Sequence, residues 1–252
     1  MKLCRINKNG TLKVGILDGQ EVWGCDAELN RTNELAYLDE VELLAPVAPS
    51  KIVCVGRNYA DHAAELGNAV PASPLLFLKA PSSIIADGQS IVIPESSTQV
   101  EHEAELGIVI GHRASKLSDR SHALKYILGY TCVNDVTARD IQRADVQFTR
   151  GKSFDTFCPI GPYIETDLDT SDLAVSCTVN GEIKQNGRTS QMIFPVDYLV
   201  WYISWQMTLV PGDVIATGTP AGVSRLKDGD MCEVAVEGIG TLRNRVTAAA
   251  GQ

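Results

Sequence analysis

Three glutamates spaced two residues apart are the side chains whose types and positions could do chemistry. Glu101, Glu103 and Glu105 precede an apolar run, Leu106–Ile110. The two-residue period of a strand predicts all three glutamates on one face, with His102 on the other. Carboxylates that lead into a buried strand are costly unless they are paired or bind a metal. The alternative is a solvated acidic face at the entrance of the strand, and the spacing alone slightly favours that alternative.

A further acid, Asp135, ends a predicted core strand over 127–134 and precedes a predicted helix over 137–146. The end of a buried strand is a common place for a catalytic or ligating group, and a plain helix N-cap is the alternative. Three carboxylates without a nearby thiol or imidazole pair would select Mg²⁺ or Mn²⁺, with Ca²⁺ less favoured. We exclude zinc, because His102 is predicted on the opposite face and no Cys/His spacing fits.

The elements that must position these acids are mostly strands. In the first forty residues, Asn9-Gly10 and Asp18-Gly19 separate short alternating runs, which predicts antiparallel strands. Pro46 and Pro49 then mark a boundary, so we predict a small N-terminal β subdomain over 1–48 and a catalytic domain over 49–252. Strands are predicted at 52–55, 75–79, 91–93, 100–110, 127–134, 175–179, 214–217, 231–236 and 241–246, and helices near 60–66, 137–146 and 197–207. Because strands and helices do not alternate regularly, we reject a Rossmann sheet or an (α/β) barrel and predict a strand-rich α+β fold.

Composition restricts the partners. A net charge of −9 and a pI near 4.9 argue against nucleic acid or anionic lipid. An anionic substrate would therefore need local positive charge, which a bound cation supplies directly. The seven cysteines are scattered without a C-x-x-C pair, which indicates buried, reduced thiols. The chain begins without an apolar signal segment, and its most apolar stretch, 198–207, is too short to span a bilayer, so we expect a cytoplasmic protein.

Six short motifs then occur in a familiar order, namely Ile52–His62, Leu76–Lys79, His102–Gly107, Asp135–Gln142, Gly151–Asp155 and Thr217–Pro220. Over residues 50–246 they make the chain resemble the fumarylacetoacetate hydrolase family. The resemblance is to its short members, the acylpyruvate hydrolases and 2-hydroxyhepta-2,4-diene-1,7-dioate isomerases. It implies the family's mixed β-sandwich roll with few helices, and a homodimer.

The resemblance also implies a ligand set and a base. The family's metal would be held by Glu103, Glu105 and Asp135, whereas Glu101 falls outside the motif, as a neighbour of the site or a solvated residue. A His–Glu dyad on a mobile helical lid would be His62 and Glu65, whose i, i+3 spacing places both on one face of a helical turn. In that role Glu65 orients the imidazole and His62 deprotonates a water molecule. Without the resemblance, a surface histidine is the simpler interpretation.

Lys152 matches the family lysine that stabilises negative charge developing on the substrate, and a solvated loop lysine is its alternative. The weaker, substrate-binding assignments that the resemblance implies are Arg57, Tyr59, Lys79, Gln142 and Thr219.

The chemistry that unites these residues is a small 2-oxo acid chelating the metal, which then stabilises an enolate. We predict an Mg²⁺- or Mn²⁺-dependent hydrolase of 2,4-dioxo acids (acylpyruvates), because the dyad supplies a base for water. The alternatives are an isomerase or tautomerase of hydroxymuconate or hydroxyheptadienedioate type, an oxaloacetate decarboxylase or tautomerase, and a non-catalytic metal-binding scaffold. Two departures from the family matter. Apolar Val53–Val55 replaces a fourth carboxylate ligand of the long animal hydrolases, which argues against fumarylacetoacetate as substrate, and the segment between Asp135 and Lys152 is shorter than in acylpyruvate hydrolases.

Overall fold

Strands dominate the computed structural model, which describes residues 1–249; residues 250–252 of the predicted catalytic domain lie outside the described part. The N-terminal strands are β1 Lys2–Lys8, β2 Thr11–Asp18, β3 Glu21–Cys25, β4 Arg31–Tyr37 and β5 Glu42–Leu44. The middle strands are β6 Ile52–Gly56, β7 Leu75–Lys79, β8 Ile84–Ile85, β9 Ile91–Ile93, β10 Val100–Glu101, β11 Ala104–Ile110, β12 Ile127–Asn134, β13 Thr137–Ala138 and β14 Cys158–Glu165. The last strands are β15 Ala174–Val179, β16 Glu182–Arg188, β17 Val214–Ala216, β18 Met231–Val236 and β19 Gly240–Ala248. The helices are α1 Ala60–Glu65, α2 Arg139–Ala144, α3 Thr149–Lys152 and α4 Val196–Gln206. The predicted strand-rich α+β class is confirmed.

Two sheets face each other across the main core. The larger runs in the order β4-β3-β2-β1-β14-β12-β11-β17-β6-β7, and the smaller in the order β16-β15-β18-β19-β9. Alternate residues of β11, such as Leu106 and Ile108, pack with Val175 and Val234 of the smaller sheet. The other face of β11 is also covered, since Val109 joins a second cluster with Ile52. Burial on both faces explains why β11 is apolar at every position after Glu105.

The N-terminal strands form the predicted antiparallel β unit. β1 pairs with β2 over its whole length, from Lys2↔Leu17 to Lys8↔Thr11. The turn between them has Asn9 and Gly10 in the left-handed region, at φ 54° and 80°, as a tight two-residue hairpin requires. β1 also pairs with β14, so this unit extends the large sheet.

Near the acidic residues, two elements of the structure differ from the predicted ones. The strand predicted over 100–110 is interrupted at 102–103, where β10 pairs with β13 and β11 pairs with β12. The interruption is stabilised by the Asn134 side chain, whose Oδ1 accepts a hydrogen bond from the Glu103 N–H at 3.0 Å. The helix predicted over 137–146 is shorter, because 137–138 forms a strand first, and α3 was not predicted.

The structure describes the state of the cysteines and the lengths of the apolar helices. All seven cysteines are free, and all except the half-buried Cys25 are buried. Over residues 1–249, no helix is both long and apolar enough to cross a membrane.

Candidate active site

The carboxylates of Glu103, Glu105 and Asp135 lie together in the interior. Each offers an oxygen within 4.8 Å of the other two, and all three residues are buried. Two antiparallel neighbours bring them together, since β11 begins just after Glu103 and β12 ends just before Asp135. The Asp135 N–H donates to the Glu103 carbonyl oxygen at 2.9 Å, which fixes the end of β12 against the interruption after β10.

Glu105 is the member of this triad whose negative charge has the fewest compensating contacts. Its Oε2 accepts a hydrogen bond from the Gly218 N–H at 2.7 Å, and within residues 1–249 it has no ion-pair partner. Burial, and then repulsion by Asp135 and Glu103, raise the pKa of Glu105 well above its usual value. A divalent cation would relieve this repulsion, and the all-oxygen donor set suits a hard cation. The residues present therefore fit a divalent metal.

Lys152 bridges the other two carboxylates. Its ammonium donates to Glu103 Oε2 at 2.8 Å and to Asp135 Oδ2 at 2.7 Å, and the residue is 2% exposed. Burial lowers the pKa of Lys152, but Asp135 and Glu103 raise it by more, so the lysine is charged. Lys152 therefore lies against the proposed metal ligands and also lines the cavity described below.

Lys79, which the resemblance assigned to the substrate, lies elsewhere. Its ammonium donates to Asp135 Oδ1 at 2.7 Å and to the Val136 carbonyl oxygen at 3.1 Å. The residue is 1% exposed and is not among the side chains that line the cavity. In this structure Lys79 holds Asp135 from within the core, and its substrate-binding role stays a prediction.

Arg139 is a site residue to which the sequence assigned no role. Its guanidinium donates to Glu101 Oε2 at 2.8 Å, to Glu103 Oε1 at 2.5 Å and to Gln142 Oε1 at 2.7 Å. Although burial raises the pKa of Glu103, attraction by Lys152 and Arg139 lowers it overall. Glu101 is thus an ion-pair partner and not a solvated residue. The sequence signal for this ion pair was an arginine four residues after Asp135, together with Glu101, a glutamate to which no partner was assigned.

The helix that carries Arg139 and Gln142 is fixed at its first turn by Asp140. The Asp140 carboxylate accepts hydrogen bonds from the Thr98 N–H and the Ser97 hydroxyl, both at 2.7 Å. Partial burial raises its pKa, but these hydrogen bonds outweigh burial and lower the pKa to about 2.

The two predicted dyad residues meet on α1. His62 Nδ1 lies 3.2 Å from Glu65 Oε2, and His62 is 5% exposed. The Glu65 carboxylate also accepts the Gly222 N–H, at 3.1 and 3.2 Å from its two oxygens. Because a carboxylate can only accept, Nδ1 carries the hydrogen of that contact, and Nε2 of a neutral imidazole is left as the proton acceptor.

A cavity of about 260 Å³ joins most of these groups. Of the predicted site residues, all but Glu65, Tyr59 and Lys79 line it. Arg57 lines the cavity with a φ of 61°, a conformation that costs a non-glycine residue energy and is frequent at functional sites. Arg143, not predicted, is a further cation in the lining.

Tyr59 lines a second cavity instead, of about 200 Å³, together with Asp61 and Pro220. The residue is 2% exposed, and its hydroxyl has no hydrogen-bond partner within the described residues. Burial, and then the charge of Glu105, raise the pKa of Tyr59. Tyr59 is not among the residues that line the cavity of the triad, and its substrate-binding role stays a prediction.

Two protein-family models match the chain. Residues 51–247 match the family model described as "Fumarylacetoacetate (FAA) hydrolase C-terminal", and residues 1–46 match "Rv2993c-like, N-terminal". An oxaloacetate tautomerase of Rattus norvegicus (Fahd2a, mitochondrial) is 42% identical over 219 residues, 82% of this chain and 70% of the rat protein.

Two solved structures are similar over the whole chain. A 5-carboxymethyl-2-hydroxymuconate delta-isomerase from Mycobacterium smegmatis has a TM-score of 0.92 and 43% identity, with complete coverage of both chains. A 2-hydroxyhepta-2,4-diene-1,7-dioate isomerase from Mycobacterium marinum has a TM-score of 0.92 and 42% identity, again with complete coverage.

Proposed function

Because the chain belongs to the fumarylacetoacetate hydrolase family, we propose that it is an Mg²⁺- or Mn²⁺-dependent tautomerase or isomerase of small 2-oxo acids with a second carboxylate. The observation that carries the proposal is the buried triad of Glu103, Glu105 and Asp135 at a cavity that also contains His62 and Lys152. The names of the similar proteins support proton transfer over the hydrolysis that the sequence slightly favoured.

The triad would hold the metal, with the 2-oxo acid placed beside it. When bound, the divalent ion supplies Lewis-acid stabilisation of negative charge on a neighbouring oxygen. Glu105, which lacks a cationic partner within residues 1–249, would gain most from that ion. Glu103 would keep its contact with Arg139, which holds this ligand in place from the α2 side.

His62 is the group we assign to proton transfer. Glu65 holds Nδ1, so Nε2 is the atom that takes the proton from the 2-hydroxyl oxygen of an enol substrate. It returns a proton to the neighbouring carbon of oxaloacetate or to a more distant carbon of a hydroxyheptadienedioate, with the reverse transfer in the opposite direction. Lys152 would donate a hydrogen bond to the oxygen on which negative charge develops. Arg57 and Arg143 add two cations to the cavity lining, and within residues 1–249 neither forms an ion pair, which suits a second carboxylate.

Hydrolysis of a 2,4-dioxo acid is the second candidate. The observation that favours it is the same dyad, because an imidazole oriented by a carboxylate 3.2 Å away could activate a water molecule instead. The two functions differ in whether carbon–carbon cleavage products accumulate.

The test is a parallel assay with Mn²⁺ on enol-oxaloacetate, a hydroxyheptadienedioate and an acylpyruvate. We expect isomerisation above the spontaneous rate and at least about tenfold faster than acylpyruvate cleavage, and we expect His62→Ala to slow it by about 100-fold. The exposed His122 on the 120–126 turn provides the control His122→Ala, which should leave rates unchanged. Cleavage products without isomerisation would replace the proposal with the second candidate.

A further inference from the structure

The segment Gly218–Ser224, here called the bridging segment, touches both halves of the candidate site. At its start the Gly218 N–H donates to Glu105 Oε2 at 2.7 Å. Further along, the Gly222 N–H donates to the Glu65 carboxylate at 3.1 Å. One short stretch of backbone therefore contacts a proposed metal ligand and the acid of the dyad, so its position affects both.

Gln185, from β16 of the smaller sheet, clamps this segment. Its amide nitrogen donates to Thr219 Oγ1 and to the Pro220 carbonyl oxygen, both at 2.7 Å. Its amide oxygen accepts the Ala104 N–H at 2.9 Å, at the first residue of β11. Gln185 has no exposed surface and is not among the residues that line the cavity, so it does not meet a substrate.

The direction of every hydrogen bond in this cluster follows from its partners. Pro220 offers only a carbonyl oxygen, which fixes the Gln185 NH₂ group on that side. Thr219 donates its own hydrogen to the Ala104 carbonyl oxygen at 2.8 Å, so it accepts from Gln185. The Gln185 oxygen therefore faces His102 Nδ1 at 3.0 Å, and Nδ1 must carry a hydrogen.

His102 extends the clamp to the far end of the bridging segment. Its Nε2 lies 2.8 Å from Ser224 Oγ, and its backbone N–H donates to the Ser224 carbonyl oxygen at 3.4 Å. His102 itself is fully buried, immediately before the metal ligand Glu103 in the chain. The cluster thus ties both ends of the bridging segment to residues 102–105, which include Glu103 and Glu105.

We propose that Gln185 is a positioning residue that sets the bridging segment against β11, and thereby tunes metal affinity through Gly218 and the dyad through Gly222. The inference rests on the metal role of the triad in the proposed function. Hydrogen bonds behind metal ligands commonly change metal affinity or activity by about 10–100-fold. A buried amide with a purely structural role would change stability and leave both properties alone.

The experiment measures Mn²⁺ affinity from the free-ion EPR signal in the wild type, Gln185→Met and Asn244→Leu. Asn244 is the matched control, because it is a buried amide of the same sheet that donates to the carbonyl oxygens of Ala86 and Gln89, away from the site. We expect Gln185→Met to weaken Mn²⁺ binding by about tenfold and to lower kcat at saturating Mn²⁺. Asn244→Leu should lower the melting temperature without either change.

A second readout follows the cluster itself. In the wild type the ¹⁵N shifts of the His102 ring should show a protonated Nδ1, and Gln185→Met should shift this tautomer equilibrium. If Gln185→Met does not fold, Ser224→Ala removes one hydrogen bond at the end of the clamp and should weaken Mn²⁺ binding by a smaller factor.

Unchanged Mn²⁺ affinity in the folded variant, or an equal loss in Asn244→Leu, would overturn the inference. If the wild type itself binds no Mn²⁺, the proposed metal site fails first, so the two failures are distinguishable.

Discussion

Replacing Lys152 with methionine tests the electrostatics of the candidate site most sharply. The lysine ammonium donates to Glu103 Oε2 and Asp135 Oδ2, two of the three proposed ligands. A bound divalent cation would compete with this ammonium for the same oxygens. Lys152→Met removes the competitor with little change in side-chain volume, so we expect the metal-free protein to lose stability while metal affinity rises.

The structure sets the scale of both effects. Each hydrogen bond to a charged group contributes about 1.5–3 kcal/mol, and loss of one partner from a buried pair costs about 3–5 kcal/mol. In Lys152→Met, Glu103 keeps its contact with Arg139 and Asp135 keeps its contact with Lys79. Because these cations still compensate the carboxylates, only a part of the lost energy, about 1.4 kcal/mol or more, should appear as a gain in metal-binding free energy. That corresponds to Mn²⁺ binding at least about tenfold tighter.

The assay combines urea unfolding, with and without Mn²⁺, and Mn²⁺ titration. Lys152→Met should lose about 3–5 kcal/mol of unfolding free energy without metal and recover most of it at saturating Mn²⁺. Lys51→Met is the control, because Lys51 pairs with the fully buried Asp213 away from the triad. It should lose stability to the same extent with and without Mn²⁺. Mn²⁺ binding to Lys152→Met that is no tighter than to the wild type would refute the competition.

Three other substitutions test the surroundings of the site. Arg139→Met leaves the buried Glu101 without a cationic partner and Glu103 with Lys152 alone, and should cost about 3–5 kcal/mol in urea unfolding. Arg120→Met, which breaks an exposed pair, should cost about 0–1 kcal/mol. For Asp140, the difference between its usual pKa of 3.8 and about 2 would be worth about 2.4 kcal/mol, which solvent screening reduces to about 1 kcal/mol. Because the pKa is lower in the folded state, this contribution is complete above about pH 4 and is lost as the pH falls through about 2. In urea unfolding, Asp140→Asn should therefore have a lower free energy of unfolding than the wild type at pH 7. The two free energies should converge in acid. Gly222→Ala would place a Cβ 2.0 Å from the Lys184 carbonyl oxygen at a φ of 102°. We therefore expect a lower temperature of thermal unfolding and a weaker hydrogen bond from the residue 222 N–H to the Glu65 carboxylate.

The fold class could be predicted from local patterns, whereas the meeting of the three carboxylates was predicted from the resemblance to a known family. Alternation and turn dipeptides predicted the strands, and the motif order predicted which acids would come together. The triad forms because β11 and β12 are neighbours, with Ala104 opposite Asn134. Its role as a metal site stays a proposal.

The partners of those carboxylates could not be predicted, because they depend on three-dimensional neighbours distant in sequence. Lys79 reaches Asp135 across 56 residues, and Gln185 reaches His102 across 83. A lysine or glutamine in an alternating strand has no local signal that tells whether it will meet substrate, solvent or a buried carboxylate. The motif therefore identified Lys79 as a site residue but did not predict that it would contact Asp135 from within the core.

The central claim is that Glu103, Glu105 and Asp135 together hold one divalent cation, and Mn²⁺ titration of Glu105→Gln and Glu101→Gln tests it most directly. Glu105 lacks a cationic partner within the described residues, whereas Glu101 pairs with Arg139 and lies outside the triad. The account predicts one Mn²⁺ per chain in the wild type and in Glu101→Gln, and loss of that binding in a folded Glu105→Gln. Equal binding by Glu105→Gln and the wild type, or no binding by the wild type, would contradict it.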